Sequence, residues 1–171
     1  MSESACREAG SPVPFQGARL FGDLSVLENA EVAALAHGTR RAGARAEAAR
    51  ALALVGLEDR ADTPAAALSC GAQRQASIAR AVAMRPRFLL LDEPAAGLNE
   101  DEGRELVTTI EKLCESGVGV LLVEHDMEVA MGVSHRVHVL DSGRTICEGS
   151  PAEVQADATV IAAYLGAGHG A

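Results

Sequence analysis

Apolar residues along the chain follow two regimes that meet at Pro86. Upstream they recur at helical spacing between glycines and prolines. Residues 15–36 combine a turn at Phe21-Gly22-Asp23 with a helix whose start carries Ser25 and, three residues on, Glu28, the spacing of a capping box. Residues 37–43, with Gly38 and Gly43, read as a loop. Residues 44–57 predict an alanine-rich helix with Leu52 and Val55 on one face, stopped near Gly56. Pro64 breaks the next segment. A helix from about Gly71 to Met84, with Ile78 and Val82 four apart, ends before Pro86.

Downstream of Pro86 the apolar residues cluster. Phe88-Leu89-Leu90-Leu91 is a continuous run that fits a buried parallel strand. Residues 101–115 predict an amphipathic helix with Leu106, Val107, Ile110, Leu113 and Cys114 on one face. Val118 to Val123 predicts a second buried strand, Met127 to Gly132 a short helix, and Arg136 to Leu140 a third strand. Asp141-Ser142-Gly143 turns that strand into Arg144 to Cys147 as a hairpin. Pro151 opens a short helix, and a last one covers Thr159 to Leu165. Strand and helix in alternation predict an α/β sheet preceded by a mostly helical lobe.

Composition narrows the function classes. The chain has 171 residues, which fits one domain or one domain with a small lobe. With 33 alanines, no tryptophan, one tyrosine and three phenylalanines, its core must be aliphatic. Fifteen basic against 24 acidic residues give a net charge of −9, the wrong sign for gripping nucleic acid. No run approaches the ~18–20 apolar residues of a membrane span. The first fifteen residues lack the apolar stretch of a secretory signal. Cys6, Cys70, Cys114 and Cys147 are scattered singly, without zinc-ligand spacing or disulfide-scaffold density, which fits a reducing, cytoplasmic setting. Lys112 is the single lysine, and no Gly-Lys pair occurs, so these residues contain no Gly-x-x-x-x-Gly-Lys-Ser/Thr phosphate loop.

Three places carry candidate chemistry. The strand at 88–91 runs into Asp92-Glu93-Pro94. Ligands of open α/β sheets bind beyond the carboxyl ends of strands, and adjacent residues point in different directions. Asp92 can therefore serve a magnesium ion, which prefers oxygen ligands and keeps several waters, while Glu93 faces an attacking water. The bland alternative is a solvated turn with two acids. Leu68-Ser69-Cys70-Gly71-Ala72-Gln73 opens a helix whose free N–H groups suit phosphate; the alternative is an ordinary serine cap. The strand at 118–123 ends in Glu124-His125-Asp126, which puts His125 at the same sheet edge as Glu93 if the two strands are parallel neighbours. A surface histidine capping a helix is the alternative there. His135 and His138 are assigned no role.

The order of these pieces resembles the nucleotide-binding domain of ABC transporters over about residues 15–166. Leu68 to Gln73 is similar to the signature motif, Leu89 to Glu93 to Walker B with its catalytic glutamate, Ala96 to Asn99 to the D-loop, and His125 to the switch histidine. Phe15-Gln16, then Arg19-Leu20-Phe21 and Leu24 to Asn29, resemble the Q-loop and the start of the helical subdomain. Within the superfamily the likeness is to ATPases of branched-chain amino acid importers, on Pro94 to Asn99, Val123 to Met127, Gly149 to Val154 and Ala163 to Gly166.

Residues 1–14, small and polar with Pro12 and Pro14, read as a poorly ordered lead-in, and 167–171 as a tail; between them the resemblance implies the C-terminal part of a P-loop NTPase fold, with a Q-loop and helical signature subdomain at 15–86 and a Walker B and switch α/β core at 87–166. It implies ATP and Mg2+ as cofactors. Glu93 and His125 would be catalytic, Asp92 and Gln16 would address the metal, and Gln16, Leu68, Ser69, Cys70, Gly71 and Asn99 would line the nucleotide. It also implies a second ABC ATPase domain as dimer partner, identical or paralogous, and an integral membrane permease, with the subunit peripheral on the cytoplasmic face of the plasma membrane. No nucleic acid and no membrane span of its own are expected.

Several positions depart from the family pattern. Cys70 stands where many members have glycine, Ala72 where glutamine is usual, and Asn99 where the wider superfamily has aspartate. The family's P-loop portion and first strands are missing from these 171 residues. The expectation is a truncated ATPase subunit, inactive alone, with exposed apolar sheet edges that make it unstable without the missing part. The alternative is a non-catalytic module that docks on a permease or a partner ATPase. A chromosome-maintenance ATPase, which shares these motifs, fits less well for want of long heptads and positive charge.

Overall fold

A computed structural model describes residues 20–167, with side chains as far as Tyr164. The chain divides into two compact units, one through His125 and one from Asp126.

The first unit begins with helix α1, Val26–Ala36. Its capping box forms as the sequence predicts: Ser25 Oγ accepts the Glu28 N–H at 3.2 Å, and the Glu28 carboxylate accepts the Ser25 N–H at 2.7 Å. Asn29 is fully buried beneath the preceding turn. Its side-chain oxygen accepts the Phe21 N–H at 2.8 Å, and its amide donates to the carbonyls of Phe21, Leu24 and Ser25. Helix α2, Arg41–Leu54, packs on α1. Ala30, Ala34, Ala44 and Ala48 are all fully buried, and side chains this small let two helices approach closely.

Helix α2 starts three residues before the predicted boundary, because Gly43 sits inside its first turn rather than in the loop. Gly56, at φ +73°, takes the left-handed conformation that follows the helix end. The buried Glu47 of α2 is ion-paired to both Arg50 and Arg85. Helix α3, Cys70–Val82, is capped by Ser69 and also packs on α1 and α2. Strand β1 is Phe88–Asp92, helix α4 is Glu100–Glu115, and strand β2 is Gly119–Val123. Strands β1 and β2 are parallel neighbours, with Phe88 opposite Gly119 and Asp92 opposite Val123.

Two expectations need correction. The strands are not buried on both faces: Leu89 and Leu91 are in the core, but Phe88 is 56% exposed, Leu121 64% and Val123 48%. A two-stranded sheet with one face covered leaves every second apolar residue in water. On α4 the buried stripe is Leu106, Thr109, Ile110 and Leu113, with Val107 and Cys114 only partly covered.

In the second unit, helix α5, Met127–Val133, is capped by Asp126. Strands β3, Val137–Asp141, and β4, Arg144–Gly149, form the antiparallel hairpin that the turn at Asp141-Ser142-Gly143 predicts, a sheet of its own. Ser142 and Gly143 turn it at φ +49° and +76°, as a two-residue hairpin turn requires. Helix α6, Pro151–Ala156, carries a capping box between Ser150 and Glu153. Helix α7, Ala158–Ala167, packs with α6 and β4. No helix among the described residues is long and apolar enough to cross a membrane.

Candidate functional site

Parallel pairing of β1 and β2 brings their carboxyl ends to one edge, as the motif reading required. Glu93 leaves β1 with its N–H donated to the Val123 carbonyl at 2.8 Å. Its φ is +46°, a left-handed conformation that costs a non-glycine residue about 1–2 kcal/mol. One Glu93 carboxylate oxygen lies 3.6 Å from Nδ1 of His125, and both side chains reach solvent. Asp92 ends β1 directly before them.

The neighbouring Glu124 behaves differently. Its side chain is 1% exposed, and its Oε1 accepts the Ala95 N–H at 2.8 Å. The second oxygen, Oε2, has no hydrogen-bond partner among the described residues and lies 4.0 Å from His125 Nδ1.

Among the described residues no group of three or more His, Cys, Asp or Glu side chains gathers to hold a metal ion. A single carboxylate at Asp92 fits only a cation that keeps most of its waters or shares its shell with bound phosphate, which is the behaviour of Mg2+. Gln16, the other predicted metal group, lies outside the described residues, as does Phe15.

The start of α3 is organised by a residue the sequence reading did not single out. Ser69 Oγ accepts the Ala72 N–H at 3.3 Å, and Cys70 is exposed. Leu68 points into the core, and its carbonyl accepts from the Gln73 side chain at 3.1 Å. The Gly71 N–H donates to Oε1 of Glu102 at 3.2 Å. Glu102 Oε2 accepts the Asn99 N–H at 3.1 Å, and the Asn99 side-chain oxygen accepts the Glu102 N–H at 2.9 Å. One carboxylate thus joins the first turns of two helices, and the negative charge suits both N-termini. The Arg74 guanidinium adds a second link, to the Ala96 carbonyl at 3.4 Å.

The structure therefore places Asp92, Glu93 and His125 on one edge, and ties Gly71 to Asn99 through Glu102. Asn99 serves here as a helix cap. The spacing of Asn99 and Glu102 is that of a capping box and was readable. Burial of Glu124 beside an exposed histidine carried no such signal.

A family model described as ABC transporter matches residues 4–96, and one described as branched-chain amino acid ATP-binding cassette transporter matches residues 144–170. The chain is 40% identical to the high-affinity branched-chain amino acid transport ATP-binding protein LivG of Salmonella typhimurium over 168 residues, 89% of this chain and 66% of that protein. It is 39% identical to BraF of Pseudomonas aeruginosa, another high-affinity branched-chain amino acid transport ATP-binding protein, with the same coverage. The chain therefore spans slightly less than two thirds of the length of these relatives. Among solved structures, cbiO1 of Clostridium perfringens, part of an ABC transporter complex, superposes with a TM-score of 0.80 at 26% identity, covering 96% of this chain and 66% of that one. An ATP-binding cassette of an ABC transporter in its ADP conformation gives a TM-score of 0.81 at 22% identity, over 97% of this chain and 72% of that one, a likeness of fold.

Proposed function

The chain belongs to the ABC transporter ATP-binding family, and on that premise we propose that it forms the rear part of the ATPase subunit of a branched-chain amino acid importer. The reaction is transfer of the γ-phosphoryl group of ATP to water, giving ADP and phosphate, coupled to solute import through a membrane permease. The observation that carries the reading is the parallel strand pair whose shared edge holds Asp92, Glu93 and His125, with Glu93 3.6 Å from the imidazole.

Each residue then has a distinct task. Glu93 accepts a hydrogen bond from the attacking water and orients it toward phosphorus. The His125 imidazole donates to a γ-phosphate oxygen, and its Nδ1 side is steadied by Glu93. Asp92 offers a carboxylate oxygen to Mg2+, which when bound neutralises charge on the phosphates. Ser69 and Gly71 present a hydroxyl and an N–H to a γ-phosphate held by a second ATPase domain, and Gln16 reports on the metal and water. The Gly71 N–H is engaged by Glu102, so reaching a phosphate requires that contact to be exchanged. Most of the rate comes from position and charge complementarity.

These 171 residues lack a Gly-Lys pair, so the lysine-bearing phosphate loop is supplied by other residues. The exposed face of Phe88, Leu121 and Val123 is where the remaining part of the domain covers the sheet. The subunit works at the cytoplasmic face of the plasma membrane against the permease. Mixing the purified chain with a domain that supplies the phosphate loop tests the reading: ATP turnover appears in the mixture and falls with His125→Ala. Nucleotide or permease binding without turnover in any mixture would favour a non-catalytic docking module instead.

A further inference from the structure

We propose that Glu124 is a positioning residue: its buried carboxylate locks the turn after β1, and so holds the Glu93 carboxylate toward His125. Its consequence for catalysis rests on the ATPase reading; the lock itself does not.

Glu93 sits at φ +46°, and a strained residue persists only where its surroundings over-determine it. The donors available to fix it are few. The Glu93 N–H goes to the Val123 carbonyl at 2.8 Å, and the Ala96 N–H goes back to the Glu93 carbonyl at 3.2 Å. Pro94 has no N–H. The Ala95 N–H remains, and it goes to Glu124 Oε1 at 2.8 Å. It is the one donor in the turn that depends on a side chain. Both anchors come from the end of β2, from consecutive residues Val123 and Glu124.

A carboxylate is a costly choice for this duty. Burying a charge is unfavourable unless its oxygens are paired, and Oε2 of Glu124 has no partner among the described residues. A neutral acceptor would serve the turn alone. What distinguishes the carboxylate is where the unpaired oxygen lies, 4.0 Å from His125 Nδ1, while Glu93 stands 3.6 Å from the same nitrogen. Both carboxylates approach the same imidazole nitrogen, and the buried one also secures the backbone of the exposed one.

The test uses Glu124→Leu, which keeps the apolar volume and removes the acceptor, and Glu124→Gln, which keeps an acceptor and removes the charge. Replacing a buried charge by an apolar side chain is often tolerated, and Glu124→Met takes the same place if the branched chain does not fit. Amide exchange of the wild-type chain and the variants reads the lock directly. The Ala95 N–H is expected to exchange about tenfold faster in Glu124→Leu and within about threefold of wild type in Glu124→Gln, with Leu91 unchanged.

In the mixture that supplies a phosphate loop, Glu124→Leu is expected to lower kcat by at least about tenfold with KM for ATP within about twofold, and Glu124→Gln to recover most of the loss. Wild-type protection of Ala95 in Glu124→Leu overturns the proposal, as does a faster-exchanging turn with kcat unchanged. Absence of turnover even in the wild-type mixture retires the ATPase reading instead, and leaves the exchange result to decide the lock.

Discussion

Replacing Gly71 by alanine should change sign in its effect when Glu102 is removed. A Cβ at residue 71 would lie 2.5 Å from Glu102 Oε1, 2.6 Å from its Cδ and 2.7 Å from its Cγ. The carboxylate must therefore swing away. Two interactions go with it: the bond to the Gly71 N–H, of order 1 kcal/mol, and the return half of the Asn99 capping box, of order 0.5–1 kcal/mol. Against this, alanine is a better helix residue than glycine by up to about 1 kcal/mol, less in a first turn. The balance for Gly71→Ala in the native background is a loss of about 1 kcal/mol. In a Glu102→Ala background the three atoms nearest the new methyl group are gone, and the propensity gain of a few tenths to about 1 kcal/mol is expected to dominate. Urea unfolding of the four chains at constant m measures this as a double-mutant cycle, with an expected coupling of about 1–2 kcal/mol. Equal effects of Gly71→Ala in both backgrounds would refute the claim that Glu102 is what the glycine accommodates.

Other expectations follow from single contacts. Asn29→Ala strips the buried partner from the Phe21 N–H and from three carbonyls, and should cost about 2–3 kcal/mol in denaturant unfolding. In the second unit three carboxyls are held below their ordinary values, 4.5 for Glu and 3.8 for Asp: Glu148 by the Arg136 guanidinium, Glu153 by the Ser150 N–H, and Asp157 by the Val160 and Thr159 N–H groups. Their folded values are depressed, so their contribution is complete above the ordinary carboxylate range and fades as pH falls through and below it. Carbonyl titration by NMR should show these three protonating below the ordinary carboxylate values, and Ser150→Ala, which removes the hydroxyl but keeps the N–H, should move Glu153 only part of the way back toward 4.5.

Local chemistry was legible where one side chain settles one backbone decision. Ser25 with Glu28, Gly56 after α2, Ser69 before α3 and Ser142-Gly143 in the hairpin each act within a few residues, and each element lies close to its predicted place. The helix boundary lies before Gly43 because one glycine in a first turn costs little once Ala44 and Ala48 of the same helix are buried. Exposure of Leu121 and Val123 was not readable, because an apolar run looks alike whether one face or both are covered. For the site, the shared edge of Glu93 and His125 followed from strand order, once the strands proved parallel. Glu102 and Glu124 act across 31 and 29 residues of sequence, on Gly71 and Ala95, and only the folded register reveals such partners.

The most direct measurement is single-turnover phosphate release by the chain joined with a phosphate-loop domain, comparing wild type with Glu93→Gln. The account predicts that the variant still binds ATP but releases phosphate at least about a hundredfold more slowly, the loss expected for a water-orienting base. Release at the wild-type rate from Glu93→Gln would contradict it.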